Sequence, residues 1–144
     1  MELRPYRSGD LPVILSLFRD TVHTVCARDY TPEQLDAWAP EELDEAAWDA
    51  SLLAHTTLVA EEGGVVIGFA DLAENGYLDR LYVHRDWQGR GVASALCGAL
   101  PGARATHASI TARPFFERRG WRVLRAQQVE RRGVLLTNFI MEKP

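Results

Sequence analysis

Gly89 and Gly91 flank Arg90 in the run Gln88-Gly89-Arg90-Gly91-Val92-Ala93, and these residue types at this spacing could bind an anion. A helical pattern follows at once: Val92, Leu96 and Leu100 recur four apart, with Ala93 and Cys97 beside them, giving one apolar face. The first turn of a helix leaves about four backbone N–H groups without partners and carries partial positive charge. Glycine keeps bulk away from such amides and tolerates positive φ, so a diphosphate can approach, and Arg90 adds a fixed charge. The plainer reading is a turn that only joins strand to helix.

The strand before this turn must position it. Tyr77, Leu78, Leu81, Tyr82 and Val83 form a β-rich, largely apolar run that suits a strand buried in a sheet. Entered from Leu81-Tyr82-Val83, the pattern Gln88-x-x-Gly91-x-Ala93 resembles the acetyl-CoA signature of the GNAT superfamily of N-acetyltransferases. A second stretch, Ala112 to Trp121, is similar to the short helix and Gly-aromatic step that follow the fifth strand in that family. The motifs cover the C-terminal half; the N-terminal half fits by architecture.

The resemblance implies an α/β fold of the α+β mixed-sheet kind, with a central, mostly antiparallel sheet flanked by helices. It implies an N-acetyltransferase that moves an acetyl group from acetyl-CoA to a primary amine by direct attack, with no covalent enzyme intermediate and no metal. Leu81, Tyr82 and Val83 would lie where the central strand parts from its neighbour and binds pantetheine. The diphosphate would lie on Gln88, Gly89, Arg90, Gly91, Val92, Ala93 and Ser94, with Ser109 and Phe116 completing the cofactor site. Phe116 falls where many members carry a tyrosine that protonates the departing thiolate; Phe has no proton to give, so it is expected to pack against pantetheine while Tyr82, Ser109 or solvent supplies the proton. The family's acceptor groove points to Tyr30, Glu33 and Trp38, together with Asp29 and Asp36, although acids in a first helical turn are also favoured by the helix dipole alone.

Removing a proton from the attacking amine needs a titratable group near the parted strands. Asp79 and His107 are the candidates, and histidine has the apt intrinsic acidity. Each has a plainer alternative: Asp79 pairs with Arg80, or His107 is a polar edge residue. Two other activities fit the same turn, an acetyl-CoA sensor or scaffold without transfer and a dinucleotide-dependent oxidoreductase. Against the latter, Arg85 to Gln88 separate strand from glycines, and no acid lies near His107 to Ser109 to hold a ribose.

The remaining elements follow from pattern. With 144 residues, 47% hydrophobic and 25% charged, residues 1–144 read as one domain able to bury a proper core. A net charge of -4 gives no basic footprint, which excludes nucleic acid as the expected partner. No stretch approaches the roughly 20 apolar residues of a membrane span, and Cys26 and Cys97 lack metal-ligand spacing, so a cytoplasmic protein with free buried thiols is expected. The partner is then a small-molecule or peptide amine, and a homodimer fits as well.

Glu2 to Arg7 predicts a first strand, with Ser8 or Asp10 capping a helix whose apolar positions run from Leu11 to Val25. His23 in that helix reads as structural. Thr31-Pro32-Glu33-Gln34 is a capping-box start, and a further helix spans about Leu43 to Leu53. Gly63-Gly64 and Asn75-Gly76 mark hairpins among Thr56–Glu61, Val65–Leu72 and the central strand. Pro101-Gly102 predicts that the helix after the glycine turn stops after about three turns. A strand over Thr106–Ile110, a short helix ended by Gly120, and a hairpin about Arg131-Arg132-Gly133 close the chain.

Overall fold

A computed structural model describes all residues, Met1–Pro144. Seven strands form one sheet in the order β1-β2-β3-β4-β5-β7-β6. These are β1 (Glu2–Pro5), β2 (Thr56–Glu62), β3 (Val65–Leu72), β4 (Tyr77–Val83), β5 (Ala105–Ser109), β6 (Arg122–Arg131) and β7 (Val134–Glu142). All neighbours run antiparallel except β4 and β5, which are parallel. A parallel pair needs a crossover, and helix α4 (Val92–Gly98) supplies it. The mixed sheet flanked by helices agrees with the sequence-based expectation.

Two apolar clusters divide the core between the faces of the sheet. Helices α1 (Leu11–Thr24), α2 (Pro32–Trp38) and α3 (Glu45–Ala54) pack on one face through Ile14, Phe18, Leu35 and Leu52, over Val59 and Phe69. On the other face α4 and α5 (Arg113–Arg118) bury Val92, Leu96 and Phe116 over Ile67, Leu78 and Met141. Gly68 lets α4 approach closely: a Cβ there would stand 3.1 Å from both the Tyr82 carbonyl oxygen and Val92 Cγ1.

The helix starts differ in how the sequence makes them. At α2, Thr31 Oγ1 accepts from Gln34 N–H and Gln34 Oε1 from Thr31 N–H, the capping box expected from the sequence. At α1 neither Ser8 nor Asp10 caps by its side chain. A 3-10 turn over Ser8–Asp10 intervenes, and the Asp10 carboxylate is taken by Arg4 and by the Arg7 N–H. The α1 pattern also ends sooner than expected, passing into a 3-10 turn over Val25–Arg28. Helix α4 is a correction of the same kind. It stops at Gly98, about two turns instead of three, and Leu100 keeps its buried place because the chain winds on through tighter turns, Leu100 N–H to the Cys97 carbonyl and Ala103 N–H to Leu100. Cys26 is buried but Cys97 only half-buried. No helix is long and apolar enough to cross a membrane.

Candidate active site

Strands β4 and β5 pair only at their beginnings. The register runs Tyr77 with Ala105 and Leu78 with Thr106, and Thr106 Oγ1 donates to the Leu78 carbonyl at 2.8 Å. Beyond that point the strands diverge, β5 staying with β7 as far as Ser109 and β4 with β3 as far as Val83. The divergence has a local cause. On β3, Asp71 and Leu72 are adjacent; on β4 their partners are Arg80 and Leu78, so Asp79 is the extra residue of a β-bulge. A bulge bends its strand and re-aims a side chain.

The opening is a cavity of about 470 Å³. Leu81, Tyr82 and Val83 line it from β4, Gln88, Gly89, Gly91, Val92, Ala93 and Ser94 from the turn and α4, Ser109 from the end of β5 and Phe116 from α5. Arg90 is the exception among the residues singled out for the cofactor. Its guanidinium lies 4.2 Å over the Trp87 ring instead of in the cavity, a cation–π contact that holds the charge beside the site expected for the phosphates and not in it. Gln88 acts through its side chain on the fold: Nε2 donates at 2.7 Å to the Val83 carbonyl, the last of β4, which also receives Thr21 Oγ1. The turn is thereby tied to the end of the strand.

The glycines carry the expected conformations. Gly89 has φ +70° and Gly91, at the N-cap of α4, has φ +84°. Apart from the adjoining residues of the chain, no atom lies within 4 Å of the place where a Cβ of either would stand, so the turn presents bare backbone to open space. These residues fit a diphosphate, and the apolar floor between the strands fits a thin pantetheine arm.

A second cavity, about 340 Å³, adjoins the first on the α1 and α3 side. Both are lined by Trp38, Asp79, Tyr82, His107 and Ser109, so the two meet at the candidate proton carriers. Asp79 Oδ2 stands 3.6 Å from Arg80 Nη2 and 4.0 Å from His55 Nδ1. His107 rests edge-on against Tyr77, ring centres 5.2 Å apart, with Gln127 Nε2 3.4 Å from its Nδ1. Tyr30 lines the second cavity, but its hydroxyl is committed, donating to the Thr137 carbonyl and accepting from Ile110 N–H. Glu33 lines neither cavity. Asp29 accepts from Thr111 Oγ1 at 2.6 Å, and Asp36 sits 3.8 Å from His23. His23 itself donates to the Ala39 carbonyl, a structural role.

Residues 26–143 match the family described as the acetyltransferase (GNAT) domain. YafP of Escherichia coli strain K12, described as an uncharacterized N-acetyltransferase, is 37% identical, over 98% of this chain and 94% of its own. The chain belongs to the GNAT acetyltransferase family. Among solved structures, a GCN5-related N-acetyltransferase from Rhodopseudomonas palustris superposes with a TM-score of 0.93 at 37% identity, covering 99% of this chain and 94% of that one. The PaiA N-acetyltransferase of Thermoplasma acidophilum, solved with coenzyme A, shares the fold with a TM-score of 0.78 at 18% identity, covering 99% and 97%.

Beside the expected site, this GNAT acetyltransferase holds an ionic cluster that motif reading passed over. Asp71 is wholly buried, ion-paired with Arg80 across the strands, and accepts from His55 Nδ1 at 2.8 Å. Burial pushes its carboxyl above the ordinary range, with Arg80 and His55 opposing. Arg80 in turn donates to Ser51 Oγ and lies 4.6 Å from the Trp48 ring centre. The one available signal was an aspartate inside the apolar run Val65–Leu72.

Proposed function

We propose that this acetyltransferase uses acetyl-CoA and passes its acetyl group directly to a primary amine. The observation that carries the reading is the bulge-driven parting of β4 from β5, which opens a continuous space from the bare Gly89–Gly91 backbone to the junction at Asp79 and His107. The same fold in PaiA accommodates coenzyme A, which supports the cofactor. Bound acetyl-CoA supplies an activated thioester carbonyl. The residues of this chain do the rest. Backbone amides of the turn and of α4 hold the diphosphate, and the unpaired edge of β4 orients the arm that reaches between the strands. Asp79 or His107, at the meeting of the cavities, takes the proton of the amine. Phe116 packs against the arm. Tyr82 is poorly suited to release a proton because burial raises its hydroxyl's pKa; Ser109, whose Oγ accepts from Ala112 N–H, keeps its own hydrogen to donate.

Calorimetric titration with acetyl-CoA, followed by thiol release on adding amines, tests this reading. Wild type binds and releases CoA. Gly91→Val stays folded by circular dichroism yet loses binding, since a branched side chain would occupy the open face of the turn and resist φ +84°. A folded Gly91→Val protein that binds like wild type rules out the site. In His107→Gln the acid limb of the pH profile for turnover moves with acetyl-CoA affinity kept; an unmoved limb assigns the base to Asp79 or water. Binding without release by any amine favours a sensor instead.

A further inference from the structure

The second cavity has a composition that narrows the acceptor. Of its 15 lining residues, Phe18, Tyr30, Trp38, Trp48, Tyr77 and Tyr82 are aromatic, six in all, against 13 aromatics in the whole chain of 144, so the rings are concentrated where an acceptor would sit. They also hold one another in place. Phe18 packs on Trp48 at 4.8 Å and edge-on to Tyr82 at 5.0 Å, and Trp38 packs on Tyr30 at 5.3 Å, as centroid separations. Such separations are those of favourable tilted and edge contacts. The wall is therefore preformed. Trp38, Trp48 and Tyr82 are each only half-buried, which leaves ring surface for a ligand.

The charge of the same cavity argues about the amine. Asp79 is its one acid, and it stands at the junction with the cofactor cavity. Two guanidinium groups line the rest. Arg80 is fixed by Asp71, Ser51 and the face of Trp48. Arg131 is exposed, donates to the carbonyl of its neighbour Glu130 and forms no ion pair. Arg80 is answered by Asp71 and Asp79, which leaves Arg131 as the unpaired charge, and a polycation would bring its second ammonium towards it. A lysine side chain would reach Asp79 but leave the aromatic wall uncovered.

We propose that the acceptor is a small monoamine with a flat aromatic body, seated against Trp38, Trp48 and Tyr82 with its amine at Asp79 and His107. The proposal rests on the acetyl-transfer reading and names its substrate class. Trp48 is the specificity residue, since it lines the acceptor cavity and not the cofactor cavity.

The test compares 2-phenylethylamine and tryptamine with butylamine, spermidine and a lysine-containing peptide, at saturating acetyl-CoA, by initial rate of CoA release. The expected kcat/KM for the aromatic amines is about tenfold or more above butylamine, the ratio given by one good aromatic contact, and spermidine and the peptide fall below both aromatic amines. Trp48→Leu brings the aromatic amines down about tenfold towards butylamine, Trp48→Phe retains most of their advantage, and both variants keep the wild-type acetyl-CoA affinity by calorimetry. Spermidine or the peptide as the best substrate overturns the proposal, as does equal use of butylamine. Acetyl-CoA binding with turnover of none of these amines overturns it too, whereas failure of acetyl-CoA to bind overturns the transfer reading beneath it.

Discussion

Phe116 concentrates the chemistry that this chain does without. It is buried between Phe115 and Trp121, at centroid separations of 5.3 and 5.1 Å, and it also lines the first cavity, the proposed place of the cofactor. Near neutrality a departing thiolate needs little help, because its conjugate thiol has a pKa of about 8.5 by analogy with cysteine. The expected outcome follows from packing: Phe116→Ala loses acetyl-CoA affinity by about 1–3 kcal/mol through lost apolar contact, while Phe116→Tyr binds normally and turns over as fast or faster. Calorimetry with steady-state kinetics checks both, and normal binding by Phe116→Ala would remove the residue from the thioester site. Residues of this sort were legible in the sequence because their signal is local, a glycine spacing or a short helix ended by glycine. Asp71, Arg80 and His55 were not, because what makes an aspartate in a strand meaningful is the arginine opposite it, and register comes from the fold. Cys26 is the free buried thiol that the sequence predicts. It lines the first cavity, where burial pushes its thiol up to about 11 and away from the thiolate form that a nucleophile needs.

At the scale of elements, the site is made by a mismatch between two strands. The bulge at Asp79 is invisible in a pattern of alternating residues until the partner strand is known, whereas the hairpins at Gly63-Gly64 and Asn75-Gly76 announce themselves by turn chemistry. The shortened α4 was half legible: Pro101-Gly102 marks a stop, but the helix yields to tighter turns several residues earlier. Helix α4 and its glycine turn are held at the mouth of the cleft by contact with the sheet, and Gly68 on β3 is a point of close approach. Gly68→Val is expected to destabilise the protein by about 1–3 kcal/mol, because the new side chain must displace the Tyr82 carbonyl and Val92. It is also expected to weaken acetyl-CoA binding, since α4 cannot shift without moving Gly91. Urea unfolding and calorimetry on the same preparation measure both effects; a stable Gly68→Val protein with unchanged affinity would mean that α4 does not depend on this contact.

The molecule as a whole is closed at its first strand by ions as well as by the packing of Leu3 on the core. β1 is an edge strand of four residues, and Arg4 on it binds Asp10 at the entry to α1 and Glu61 on β2, joining strand, helix start and sheet. The hydrogen bond from Arg4 holds the Asp10 carboxyl below its ordinary range, against the opposing effect of burial and with help from the Arg7 N–H. The sign of the linkage is then fixed. A carboxylate with a lowered folded pKa contributes stability that is present above its unfolded value, about 3.9, and is lost as the pH falls through the folded value. Asp71 acts in the opposite sense, because burial raises its pKa and its contribution shrinks as the pH climbs above the ordinary carboxylate range. Asp10→Asn therefore isolates one arm of the acid response. At pH 7 it should cost about 1.5–3 kcal/mol, the range for hydrogen bonds to a charged group. Towards pH 2 the difference between their urea midpoints should shrink, as the wild-type carboxyl becomes protonated on falling through its lowered folded value. Asp10 lines neither cavity, so acetyl-CoA affinity at pH 7 should not change. A stability difference of equal size at both pH values would mean that Asp10 supports the fold by shape and not by charge.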